Sequence, residues 1–195
     1  MPLHRLLLSA LVGTLLLIAG CSPQNDTATS AKPAKQEATV EVVATQAKGF
    51  TVGAMMSANT VYVFFDPQCP HCGHLWQAST PLQTKIKFVW IPVAWINASS
   101  LAQGAALLTA ANPLALMTEH EASIMAGTGG IAASSSIAAN IEQSIKDNTK
   151  LLNSFGAESV PFMVAKNSRT GKVFQHEGAL TTVELAGLLG IEASL

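Results

Sequence analysis

Charge is scarce in this chain: of 195 residues only 12% are Asp, Glu, Lys or Arg, and eleven basic against twelve acidic side chains leave a formal charge of −1. No basic field exists to hold a phosphate backbone, so nucleic acid is excluded as an expected partner. Cysteine is scarcer still, with three in the whole chain. Only Cys69 and Cys72 stand close together, and a zinc site would need a second such pair. Long apolar runs are missing too. The longest, Leu6 to Ile18, has thirteen residues, whereas a helix that crosses a bilayer needs roughly 20. No internal repeat is evident, and the length suits one ordinary domain with a sizeable core.

That short run follows one basic residue, Arg5, and ends in small residues, the pattern of an export signal over residues 1–20. Ile18-Ala19-Gly20-Cys21 resembles a bacterial lipobox, in which the cysteine becomes the lipidated N-terminus; an ordinary signal with a chance cysteine is the alternative. By that resemblance Cys21 carries a lipid anchor, and Ser22 after it favours the outer membrane. Cleavage there removes Arg5, leaving ten basic and twelve acidic residues and a formal charge of −2. Residues 21–48 are rich in Ser, Thr, Ala, Gln, Asn, Lys and Pro, a tether composition. Within it Val40 to Ala44 reads as a possible short strand. Folded sequence is expected from about Gly49.

Thr60-Val-Tyr-Val-Phe-Phe65 is a continuous β-branched and aromatic run, as in a strand covered on both faces. Asp66-Pro67 ends it, and Pro70 suits the first turn of a helix whose buried face carries Cys72, Leu75, Trp76 and Ser79. Lys85 to Val93 reads as the next strand. A helical stretch over about 97–156 follows, with Ser99 or Ser100 as a cap, Pro113 opening a second helix and Gly127 to Gly130 interrupting it. His120, between Glu119 and Glu121, reads as part of a solvated face. Pro161 to Ala165 and Lys172 to His176 form a hairpin, and Thr181-Thr-Val-Glu184 has capping-box spacing before a last helix. The order predicts an α/β chain of thioredoxin-like fold with an inserted helical domain, over residues 49–195.

Strand, turn, Cys69-Pro-His-Cys72 and helix together point to redox chemistry. Unpaired amides and the positive dipole end at a helix start favour an anion at Cys69, which is expected to be the exposed nucleophile. Cys72, one turn in, is its shielded resolving partner. Pro70 stiffens the turn and His71 brings a cation or donor near the sulfur; such settings lower a thiol from about 8.5 to as little as ~3.5. A stabilised thiolate makes an eager disulfide, which favours oxidation of substrates. A loop this small makes a poor structural brace. The competing readings are a chance zinc site with His71, His74, His120 or His176, an inert disulfide, and a holding surface without catalysis. Val160-Pro161 opens the later strand, and in a thioredoxin-like fold a proline at this place lies beside the cysteines. Asp66 reads as a turn former, and Trp76, Trp90 and Trp95 as packing.

Val61-Tyr-Val-Phe-Phe-Asp-Pro-Gln-Cys-Pro-His-Cys72 with Leu75-Trp76, then Asn148 to Gly156, Val160-Pro161 and Gly178-Ala-Leu180, resembles the bacterial Dsb proteins, most closely the DsbG/DsbC catalytic domain, over roughly residues 50–190. The resemblance implies attack by Cys69, resolution by Cys72, and a cis Pro161 whose preceding Val160 offers backbone groups to an extended substrate. It implies no cofactor beyond the redox-active disulfide Cys69–Cys72 and no metal. Implied partners are exported proteins with cysteines and a membrane redox partner of DsbB or DsbD type. Two departures stand out. The stretch before Gly49 is too short for the dimerisation domain of DsbG and DsbC, so a monomer is expected, and Cys-Pro-His-Cys with Val160 before the proline is closer to DsbA. The resulting expectation is a lipid-anchored periplasmic disulfide oxidant. A reductase or isomerase kept reduced by DsbD, a chaperone-like binding module and metal delivery are the alternatives.

Overall fold

The computed structural model describes residues 35–193. The expected signal segment, Cys21 and its lipid therefore lie outside the described residues. Among those described, β1 (Phe50–Gly53), β2 (Thr60–Phe65), β3 (Lys87–Pro92), β4 (Phe162–Lys166) and β5 (Val173–Glu177) form one sheet in the order β1-β3-β2-β4-β5. β2 and β3 run parallel, with Val63 opposite Trp90, through the crossover helix α2 (Pro70–Ser79). β4 pairs antiparallel with both β2 and β5. β2 is thus central, and Val61, Val63, Phe64 and Phe65 are all buried, which accounts for its unbroken apolar run. β1, antiparallel to β3, was not legible beforehand, because four residues carry too little alternation to register.

The aromatic residues lock the crossover to the sheet. Trp76 of α2 meets Trp90 of β3 edge-on at 5.2 Å, and Trp90 meets Phe65 at 5.6 Å. Such pairs add about 0.5–1.5 kcal/mol each beyond burial. Leu75 and Cys72 are buried on the same helical face.

Between β3 and β4 the chain runs through α3 (Ala98–Leu108), α4 (Pro113–Met125) and α5 (Ala139–Ser154), and α6 (Thr182–Leu189) follows β5 behind the expected Thr181/Glu184 capping box. Asn97, rather than Ser99 or Ser100, caps α3: its side chain accepts the Ser99 amide, and Ser100 Oγ accepts the Asn97 amide at 3.3 Å.

The start of the domain differs from the sequence expectation. Val40–Gln46 is a helix, α1, and not a strand: Thr39 caps it, and Val43 and Ala38 pack into the core. β-branched residues favoured a strand locally, but the cap and the burial of one helical face override that preference. Ordered structure therefore begins well before residue 48. Gln36 already donates to the Ser154 carbonyl at 2.8 Å, and Asn148 clamps Lys48 through its amide and its carbonyl, each at 2.8 Å.

Candidate active site

Cys69 is the N-cap of α2, with Pro70 at the first helical position and Cys72 in the first turn. The Cys69 amide donates to the Asp66 carbonyl and the Cys72 amide to the Cys69 carbonyl, each at 3.0 Å. No side-chain oxygen caps this helix, so the Cys69 sulfur stands where a capping oxygen would. Both cysteines are free thiols. The Cys72 thiol, hydrogen-bonded to the Cys69 sulfur, is the main reason that Cys69 is lowered from 9.0 to about 6; burial opposes it, while the amides of Cys72 and His71 and the charge of His71 add to it. The charge of His71 is therefore the smallest of the named contributors, behind its own amide. Cys72 itself is pushed up, first by burial and then by the Cys69 sulfur. The two sulfurs are thus split into an acidic outer thiol and a reluctant inner one.

Cys69 is not exposed, contrary to the sequence expectation: only 5% of its surface reaches solvent. The segment ahead of β4 closes over it. Val160 and Pro161, both buried, are joined by a cis peptide bond, and the Val160 carbonyl lies 3.5 Å from Cys69 Sγ, placed to accept the thiol hydrogen. Residues 91 positions apart in sequence are thereby in contact. Gly178 donates to the Pro161 carbonyl at 2.8 Å, tying this segment to the end of β5.

Asp66 does more than form a turn. It is fully buried, and its carboxylate accepts from the amides of Gln68 (2.8 Å), Trp95 (2.6 Å) and Ile96 (2.9 Å) and from Ser100 Oγ (2.7 Å). The loop that carries Cys69 is so fastened to the start of α3. Gln103 continues the connection, donating to the carbonyls of Gly129 (2.8 Å) and Ile131 (2.9 Å). His120 and Glu121, expected on a solvated face, are in fact buried, because α4 lies across α2. His120 Nδ1 accepts the Ile131 amide at 3.2 Å, so its Nε2 carries the hydrogen donated to the Pro67 carbonyl at 2.7 Å. Burial lowers the His120 pKa, in keeping with a neutral ring. No sequence signal marked these residues, since Glu-His-Glu reads as polar until a second helix covers it. His71 and His74 remain exposed, 5.9 Å between ring centroids. Among the described residues no group of three His, Cys, Asp or Glu could hold a metal ion.

No protein-family model matches the chain. The thiol:disulfide interchange protein DsbG of Pseudomonas aeruginosa is 31% identical over 140 residues, 71% of this chain and 54% of that protein. DsbG of Escherichia coli is 31% identical over 103 residues, covering 52% of this chain and 41% of its own length. The chain thus spans about half the length of the curated relatives it matches. A periplasmic thioredoxin-like protein from Salmonella enterica serovar Typhimurium superposes with a TM-score of 0.61 at 17% identity, over 80% of this chain and 97% of that one.

Proposed function

We propose, for a chain whose folded domain is homologous to the thiol:disulfide interchange proteins DsbG and thioredoxin-like in fold, that Cys69 and Cys72 exchange disulfides with the cysteines of exported proteins. The observation that carries this reading is the asymmetry of the pair: one sulfur lowered to about 6 at a helix N-terminus, its partner buried behind it and raised. At pH 7 about nine-tenths of Cys69 is thiolate, the reactive form. In the oxidative direction a substrate thiolate attacks Cys69, Cys72 departs, and the substrate's second thiol then displaces Cys69. In the reductive direction Cys69 attacks the substrate disulfide and Cys72 resolves the mixed disulfide. The Val160 backbone beside Cys69 supports its role in lining the substrate chain, with Pro161 fixing its direction; Pro70 and His71 complete the thiolate's surroundings.

The oxidative direction is favoured by the same asymmetry. Lowering a thiol from 9.0 to about 6 stabilises the reduced form at pH 7 by about 1.4 kcal/mol, ~30 mV toward oxidant. The sign can be tested in the isolated protein. Because the folded value lies below the unfolded one, this stabilisation is present at high pH and lost as pH falls through 6. The reduced form is expected to lose about 2.5 kcal/mol relative to the oxidised form between pH 8 and pH 5, read by denaturant unfolding of each. Alkylation of Cys69 should show a midpoint near 6.

We further propose export to the periplasm, lipid attachment at Cys21, and recycling by a membrane partner of DsbB or DsbD type. These rest on the sequence of residues 1–21 and on the homology. Thiol trapping in cells decides direction: a mostly oxidised pair agrees with disulfide donation. A mostly reduced pair would replace it with a reductase or isomerase kept reduced by DsbD.

A further inference from the structure

One buried acid beside the cysteine pair has no task in the reaction above. Glu121 is 1% exposed, and neither of its carboxyl oxygens has a hydrogen-bond partner among the described residues. It reaches from α4 onto the first turns of α2 at the residue after Cys72. A Cβ at Gly73 would lie 2.8 Å from Glu121 Oε2 and 3.0 Å from Met125 Sδ, so the missing side chain at position 73 is what admits the carboxyl. Cys72, fully buried, is on the covered face of the same turn. A carboxylate left here without a donor would be costly, and the site keeps the neutral acid. Burial, then the negative charge on Cys69, pushes Glu121 up to about 9.

Few other ionisable groups face it. α2 offers Cys69 and Cys72, while His71 and His74 point outward. On α4 itself, His120 is occupied by the Pro67 carbonyl and Glu119 is exposed. β1 and α3, which also pack on α4, carry no titratable side chain. Asp66 is engaged by its four donors.

Cys72 must gain and lose a proton in this dry place, and the carboxyl is the acid at hand. Resting on the exchange reaction proposed above, we propose that Glu121 is the proton donor and acceptor for the Cys72 sulfur. When a substrate thiolate bonds to Cys69 Sγ, the Cys69–Cys72 bond breaks and its electron pair goes to Cys72 Sγ. The Glu121 proton follows, leaving a Cys72 thiol and a Glu121 carboxylate. In reverse, the carboxylate takes the Cys72 proton as that sulfur attacks Cys69 in the mixed disulfide, re-forming the internal bond and expelling the substrate thiolate.

Two reactions separate this role from packing. Cleavage of the internal disulfide of oxidised protein by excess monothiol involves Cys72 as leaving group; attack of reduced protein on dithiobis(nitrobenzoate) begins at Cys69 alone. Glu121→Gln is expected to slow the first about 10²-fold, the scale of general acid catalysis, and to leave the initial burst of the second near wild type. Glu121→Asp should recover part of the loss, and Gly73→Ala, which displaces the carboxyl without removing it, should share it. A folded Glu121→Gln protein, by circular dichroism, with unchanged cleavage overturns the proposal, as does equal slowing of both reactions. Should that variant not fold, the wild-type pH profile decides. A cleavage rate per attacking thiolate that falls about tenfold per pH unit above the Glu121 titration upholds the role, and a flat profile overturns it. Absence of any burst from wild-type protein would instead overturn the exchange reaction itself.

Discussion

Replacing Cys69 by serine is expected to reduce disulfide exchange to the uncatalysed background, whereas Cys72→Ser should still attack and then stall as a mixed disulfide. The difference follows from the division of labour in the first turn of α2. Of the two, only Cys69 is an anion near neutral pH, held there chiefly by the Cys72 thiol; Cys72 is a buried, raised thiol that in the proposed reaction acts on an already bonded neighbour. Non-reducing electrophoresis of the Cys72→Ser protein from cells should show covalent adducts that collapse on reduction, and the Cys69→Ser protein should show none. Cys72→Ala sharpens the test. Serine keeps a hydrogen-bond donor toward Cys69 and alanine does not, so the midpoint of Cys69 alkylation should rise from about 6 toward 9.0 in the alanine variant and much less in the serine one. If both cysteines could be replaced by serine with biological activity intact, a chaperone-like binding module would be the better description.

The largest effect on stability is expected at Asp66. Asp66→Ala would strand three backbone amides and the Ser100 hydroxyl in a site with no solvent access to the carboxylate. A bond to a charged acceptor is worth about 1.5–3 kcal/mol and a stranded buried donor costs about 1–3, so even with partial relaxation the loss should reach roughly 4 kcal/mol. Denaturant unfolding measures it, and a change under 1.5 kcal/mol would show that water takes over the orphaned donors. The same substitution frees the loop that carries Cys69 from the start of α3, so exchange should weaken even at temperatures where the protein remains folded. Asp66→Asn, which keeps one accepting oxygen, should fall between.

Which parts of this chain could be read in advance follows the range of the interactions concerned. Thr60 to Phe65 was legible as a buried strand because its run of β-branched and aromatic residues is local, and so was the helix starting at Pro70, because proline and the spacing of Cys72, Leu75 and Trp76 act within two turns. The Thr181/Glu184 capping box is equally local and folds as read. α1 is not legible locally, since Val40, Val42 and Val43 argue for a strand until the core that covers Val43 is known. The burial of His120 and Glu121 is illegible for the same reason: their environment comes from α2, some 50 residues upstream.

The sequence alone determined that this is an α/β chain with a Cys69-Pro-His-Cys72 pair at a strand-to-helix turn, because strand end, proline, helix start and both cysteines are neighbours along the backbone. Only the tertiary structure decided how that pair is tuned. It set the Val160 carbonyl 3.5 Å from Cys69, gave Asp66 four donors, and sank an unpartnered Glu121 against Gly73 behind Cys72. The acidity of a buried group depends on which charges and donors surround it in three dimensions and on how much water is excluded, and those neighbours come from segments that only folding brings together.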